Sequence, residues 1–131
     1  MLRTGTPSTD VVFADDDAPT TVHLGLVDEQ GTVIAISSWA WRPFPADPSG
    51  GRAVQLRGMA VDPARQRSGA GAILLDAGVE RARADGAEHV WANARDSALG
   101  FYAAHGFEIV GDGYLDRTTA IPHHRIRRLV R

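Results

Sequence analysis

The sequence predicts a single α/β (α+β) domain in which helices pack on a mixed, mostly antiparallel, twisted sheet. Three observations predict it: alternating or β-branched stretches that indicate strands, two segments with helical start and stop signals, and a length of 131 residues, which suits one domain. The predicted order is three strands, a helix, a strand, a helix and two strands. The third strand, the first helix and the next strand form a βαβ unit, so those two strands are expected to be parallel.

The composition, with 44% hydrophobic and 23% charged residues, is that of an ordinary globular protein. A formal net charge of −2 argues against general binding to nucleic acid or to an anionic membrane. The absence of cysteine excludes disulfides, a thiolate nucleophile and cysteine metal sites, and no spacing of His, Asp and Glu demands a metal. No apolar run reaches the length of a membrane span and no signal pattern is visible, so a cytoplasmic protein is expected.

Residues 1–20 are polar and are expected to form a loosely ordered N-terminal arm with a short strand at 11–13, while residues 21–131 form the domain. The two first strands of the domain are joined by a hairpin turn at Asp28-Glu29-Gln30-Gly31. Pro63 ends the third strand, because proline cannot donate to a ladder. Strands are predicted at residues 21–27, 32–41, 52–61, 88–94, 107–110 and from Pro122 onward.

The first helix is predicted from Gly69 to Asp85, with Ser68 as its N-cap and Gly86 as its stop. Gly78 in the middle of this helix costs about 1 kcal/mol relative to alanine, so close packing against the sheet is the expected reason for it.

The second helix is short. Asp96 or Ser97 is predicted to cap it, and it is predicted to run through His105 and to end at Gly106.

A glycine-bearing turn between the third strand and the first helix is the most informative local feature. Free N–H groups at a helix start, together with the helix dipole, make a site for phosphate. Gly69 and Gly71 carry no Cβ, so a pyrophosphate could approach the backbone closely. An ordinary β–α turn is the alternative interpretation.

Two motifs that follow one another along the chain resemble those of the GNAT superfamily, the acyl-CoA-dependent N-acetyltransferases, and the chain is most similar to a short bacterial member of it. The first is the (Gln/Arg)-x-x-Gly-x-(Gly/Ala) loop, matched by Gln66, Gly69 and Gly71 after the lead-in Val61-Asp62-Pro63. The second is the Ala-x-x-(Phe/Leu)-Tyr-x-x-x-Gly-Phe signature, matched by Ala98, Phe101, Tyr102, Gly106 and Phe107.

The resemblance implies a central pair of parallel strands that splay apart, with the pantetheine arm of acetyl-CoA in the opening. It implies a reaction without a metal. Because the first hairpin begins near residue 21, it also implies that the N-terminal helices of the family are missing or shortened. The cofactor-binding residues implied by the resemblance are Met59, Val61, Gln66, Arg67, Ser68, Gly69, Ala70, Gly71 and Tyr102.

The resemblance also implies that Tyr102 is the general acid that protonates the departing thiolate, and a half-buried structural aromatic is the alternative. The third strand carries no carboxylate that could serve as a base. His123 is therefore the candidate for the second catalytic group, since an imidazole titrates near neutrality, with a structural histidine as the alternative. His124 is a further candidate.

The resemblance therefore implies transfer of an acetyl group from acetyl-CoA to a primary amine of a small molecule or peptide. The chemistry needs no protein nucleophile, since the amine attacks the thioester directly. The alternative function is a non-catalytic acyl-CoA-binding sensor or assembly subunit. An exposed sheet edge near the C-terminus would suit a homodimer.

Overall fold

A computed structural model describes residues 10–15, 21–45, 52–66 and 69–130 of the chain, with side chains from residue 21 onward. The described residues form seven strands, two α-helices and two short 3₁₀ turns. The strands are β1 (Asp10–Asp15), β2 (Thr21–Val27), β3 (Val33–Trp41), β4 (Ala53–Val61), β5 (His89–Arg95), β6 (Glu108–Leu115) and β7 (Pro122–Leu129). The helices are α1 (Ala70–Ala84) and α2 (Leu99–Ala104), and the 3₁₀ turns are Pro63–Arg65 and Asp96–Ala98.

The seven described strands form one sheet in the order β1-β2-β3-β4-β5-β7-β6. Only the neighbours β4 and β5 are parallel among the described pairs, and all other pairs are antiparallel. The predicted fold class is therefore confirmed. The expectation about N-terminal helices falls largely on residues outside the described ranges.

The main core lies between the sheet and α1. Leu74, Leu75 and Val79 of α1 are almost fully buried and pack with the inward residues of β2, β4, β5 and β7. A second, smaller cluster forms on the other face of the sheet, where Phe44 packs against Trp91. We call the face covered by α1 the helix face, and the other the open face.

The predicted strands all exist, and the differences lie at their ends. The strand predicted at 11–13 extends over Asp10–Asp15 and pairs with β2. The strand predicted at 107–110 is longer, because a bulge between Val110 and Tyr114 lets β6 follow β7 to Leu115.

The first helix is confirmed within a residue at each end. The predicted N-cap is wrong, because Gly69 occupies that position at the start of α1; Ser68 itself lies outside the described residues. Gly86 has φ of 93°, a left-handed conformation, and ends the helix as predicted. A Cβ on Gly78 would overlap the indole ring of Trp39 on β3, which confirms that this glycine permits close packing.

The predicted cap of the second helix is wrong. Asp96–Ala98 form a 3₁₀ turn, and α2 begins at Leu99 without a capping side chain. The reason is that the Asp96 carboxylate accepts a hydrogen bond at 2.6 Å from Nδ1 of His124 on β7 instead of from the helix backbone. Gly106, with φ of 88°, follows the end of α2.

Candidate active site

The candidate site is a cleft on the helix face, where the end of β4 meets the starts of α1 and α2. Its volume is about 830 Å³, within the range of small-molecule and cofactor sites. It is lined by Met59, Val61, Arg65, Gln66, Gly69, Gly71, Ala72, Ser97, Ala98, Phe101 and Tyr102.

The cleft exists because β4 and β5 separate. The two strands pair with each other from Ala53 and His89 to Leu56 and Ala92. Beyond that point β4 continues to Val61 and β5 to Arg95, but the two strands no longer pair with each other. The departure coincides with a bulge in β4. On β3, Ser38 pairs with Gly58 and the next residue pairs with Leu56, which leaves Arg57 as the extra residue. A bulge bends and twists its strand, so it explains why β4 turns away from β5 here.

Beyond this divergence, Met59 and Val61 pair with β3 on one side and have no pairing with β5 on the other. Their side chains pack against the main core. The backbone edge that β5 leaves open can therefore hydrogen-bond an extended ligand in place of a strand.

The start of α1 forms the second wall of the cleft. Gly69 has φ of 87°, and a Cβ placed there would meet nothing within 4 Å, so the space in front of it is open. The helical hydrogen bonds begin with Ile73 N–H donating to Gly69 C=O at 3.0 Å. The N–H groups of residues 70–72 thus have no intrahelical acceptor, and no side chain caps them. N–H groups of this kind at a helix start can hold an anion.

Tyr102 on α2 forms the third wall. Its ring packs edge-on against Phe101 and Phe107, with centroid distances of 5.2 and 5.6 Å. Burial raises the pKa of the Tyr102 phenol above its usual value near 10, so the hydroxyl remains protonated at neutral pH. Within the described part of the chain this hydroxyl has no hydrogen-bond partner.

Most of the predicted cofactor residues come together in this one cleft. Met59, Val61, Gln66, Gly69, Gly71 and Tyr102 all line it. Ala70 belongs to the same helix start, although its side chain is buried. Arg67 and Ser68 lie outside the described residues.

His123 does not line the cleft. It lies on β7 opposite Arg95, and its neighbour in the same row of side chains, Arg127, packs over Phe44 on the open face. Its ring stacks on Tyr114 at 5.7 Å. The Nδ1 atom lies 2.7 Å from the carbonyl oxygen of Ile121. Because a carbonyl can only accept, Nδ1 carries the proton and Nε2 of the neutral ring has a free lone pair.

Arg65 also lines the cleft, just before the loop that leads into α1. Its guanidinium lies 3.1 Å from the Asp28 carboxylate in the turn between β2 and β3. The two residues are far apart in the chain, and no local pattern links them.

Known proteins resemble this chain in sequence and in fold. The model of the Acetyltransferase (GNAT) family matches residues 3–107. The chain belongs to the GNAT acetyltransferase family. A GNAT relative, the "Uncharacterized N-acetyltransferase YitI" of Bacillus subtilis (strain 168), is 30% identical over 102 residues, which are 78% of this chain and 67% of the relative.

Solved GNAT structures share the fold at low sequence identity. Nourseothricin acetyltransferase superposes with a TM-score of 0.72 at 18% identity, covering 86% of this chain and 67% of that one. Ard1 from Thermoplasma volcanium gives 0.67 at 20% identity, covering 83% and 70%. A chain of the NatC complex, solved with Gag peptide and CoA, gives 0.72 at 13% identity, covering 83% and 71%. Membership of the family supports acyl transfer as the general activity.

Two negative observations apply to the described ranges alone. None of their helices is long and apolar enough to cross a membrane. No three of their His, Asp or Glu side chains are grouped so that they could hold a metal ion.

Proposed function

We propose that this protein transfers an acetyl group from acetyl-CoA to a primary amine of a small molecule or peptide by direct attack on the thioester. The observation that carries the proposal is the meeting of three features in one cleft: an unpaired strand edge, an uncapped helix start and a protonated tyrosine. These features match the three parts of the cosubstrate, which are an amide-bearing arm, a pyrophosphate and a sulfur that must leave as a thiol.

The residues present fit the cosubstrate. The open edge of β4 at Met59 and Val61 binds the amides of the pantetheine arm as a strand would. The N–H groups at the start of α1 bind the pyrophosphate, with Gly69 and Gly71 allowing its close approach. Gln66, Arg67, Ser68 and Ala70 complete this loop in the proposal.

In the proposed reaction, the amine nitrogen forms a bond to the thioester carbonyl carbon and the carbon–sulfur bond breaks. Tyr102 donates its phenolic proton to the departing thiolate. His123 accepts the proton lost by the amine at Nε2, from the open face, and solvent then returns both groups to their starting states. Two structural neighbours, nourseothricin acetyltransferase and the NatC complex bound to Gag peptide and CoA, support a small-molecule and a peptide acceptor respectively, without choosing between them.

The first experiment is a thermal shift titration with acetyl-CoA on the wild type and on Gly69→Trp. We expect stabilisation of the wild type that is lost in the variant, because the indole fills the open space of the phosphate site. Any side chain at Gly69 is strained by its positive φ, so the matched control is Gly111→Trp on β6. Gly111 has φ of 81° and, like Gly69, nothing within 4 Å of an added Cβ.

Thiol release over an amine panel then tests catalysis. Stabilisation by acetyl-CoA with no thiol release from any amine would favour an acyl-CoA-binding sensor or assembly subunit. No stabilisation of the wild type would contradict the proposed cosubstrate.

A further inference from the structure

The gap between β4 and β5 also opens on the far side of the sheet. Ala92 and Ala94 of β5 are buried in the main core, so the alternating residues Asn93 and Arg95 project from the open face beside the gap. Both of these residues are exposed. A second molecule can therefore approach the gap from the face opposite to the cleft described above.

The neighbouring strand adds positive charge at this place. Arg125 pairs with Asn93, and His123 pairs with Arg95. Ile126 is buried in the main core, so Arg125 projects from the open face, as His123 does. Tyr114 on β6 pairs with His123, which is two residues from Arg125 in the same row of side chains. Partial burial raises the pKa of Tyr114, and the charge of Arg125 opposes that rise.

One nitrogen in each of two guanidinium groups on this face lacks a hydrogen-bond acceptor within the described part of the chain. Nε of Arg125 is buried and has no hydrogen-bond partner there, and the same is true of Nε of Arg127. The Asp116 carboxylate nearby accepts hydrogen bonds from Thr118 and Thr119 instead. This arrangement is found in a chain whose formal net charge is −2. A half-buried guanidinium whose Nε has no acceptor is a group to which a carboxylate or phosphate can supply one.

We propose that the acceptor amine also carries a carboxylate or phosphate group, which Arg125 and Arg95 bind on the open face while the amine reaches the gap. This inference rests on the proposed function. The cosubstrate's own phosphates do not explain these arginines, because the helix start that suits a pyrophosphate lies on the other face of the sheet.

The test compares amines that differ only in the anionic group: β-alanine with β-alaninamide, and phosphoethanolamine with ethanolamine. Thiol release at saturating acetyl-CoA gives kcat/KM for each. We expect at least one anionic amine to be preferred over its neutral partner by about 10- to 100-fold, the range of a charge-assisted hydrogen bond. Which pair shows the preference distinguishes carboxylate from phosphate.

Arg125→Gln should reduce this preference to within about 3-fold, while Arg125→Lys restores part of it, since lysine keeps the charge but loses the bidentate geometry. The matched control is Arg81→Gln on α1, which removes the same charge from the helix face, where Arg81 pairs with Asp85. It should leave the preference unchanged. Equal rates within both pairs, or faster neutral amines, would overturn the inference and leave the proposed function standing.

A binding measurement separates the two proposals if no amine releases thiol. Calorimetric titration of β-alanine and of phosphoethanolamine into the CoA-saturated protein requires no turnover. Binding of either compound that Arg125→Gln abolishes and Arg81→Gln retains would support the anionic site even though the proposed catalysis failed. Absence of binding of both compounds would overturn the inference.

Discussion

Gly78→Ala should destabilise the protein, although alanine is the better helix former. In an exposed helix the change would gain about 1 kcal/mol. Here the added methyl group overlaps the indole of Trp39, which is buried and donates from Nε1 to Ser37 Oγ at 2.8 Å, so the ring cannot move without breaking that bond. Overpacking of this kind costs about 1–3 kcal/mol, and the lost hydrogen bond costs about 1 kcal/mol more. The expected net loss is therefore about 1–3 kcal/mol.

The assay is equilibrium unfolding in urea, followed by far-UV circular dichroism, with the midpoint and slope compared with those of the wild type. Gly71→Ala is the matched control on the same helix, because its Cβ would lie 3.6 Å from Phe101 and from Val61, an ordinary contact. It should be neutral or stabilising by up to about 1 kcal/mol. If Gly78→Ala were as stable as the wild type, the close approach of α1 to β3 would be wrong.

Three further outcomes are expected. Tyr102→Phe should lower kcat by about 10²-fold or more and leave the KM for acetyl-CoA within about 2-fold, because only the proton donor is lost. Both constants are measured by steady-state thiol release, and an unchanged kcat would remove Tyr102 from the mechanism. His123→Gln should lower kcat, because the side chain that accepts the proton of the amine is lost; an unchanged kcat in steady-state thiol release would contradict a base at this position. Backbone hydrogen bonds from Thr119 and Thr118 lower the pKa of Asp116 in the folded protein. The ionised Asp116 therefore stabilises the fold at pH values above the pKa of the unfolded state, and this contribution is lost as the pH falls through the pKa of the folded state. Urea unfolding of Asp116→Asn across acidic pH should show that this part of the acid dependence is absent.

Local signals in the sequence predicted the elements well. Alternation predicted β2, β-branched and aromatic residues predicted β3, and Gly86 marked the end of α1, because these are properties of the local sequence. The cap of α2 was mispredicted because it depends on a residue that is distant in the sequence. Asp96 has the residue type of a cap, but a histidine 28 positions away takes its carboxylate, and no window of sequence contains both.

Part of the candidate site could likewise be predicted from local sequence, and part of it could not. The residues that line the cleft at the start of α1 are contiguous in sequence, so a motif could find them. Arg65 reaches the cleft while paired with Asp28 in a distant turn. The bulge that leaves Arg57 unpaired and parts β4 from β5 also has no sequence signal, since it depends on the register with β3.

The parting of β4 and β5 accounts for the proposed chemistry on both faces of the sheet. A continuous parallel pair would saturate the edge of β4 and close the gap, and the cosubstrate and the amine could not meet across it. With the gap open, the helix face offers N–H donors and a protonated phenol to the acyl donor. In the proposal, the open face offers the acceptor an imidazole with a free Nε2 and a guanidinium whose Nε has no acceptor among the described residues. The two substrates can then bind independently from opposite sides. Gly69→Trp should therefore weaken acetyl-CoA binding by the same factor whether or not Arg125→Gln is present, and Arg125→Gln should weaken binding of the anionic amine by the same factor whether or not Gly69→Trp is present. Strong coupling between the two substitutions in either measurement would mean that both ligands use one face.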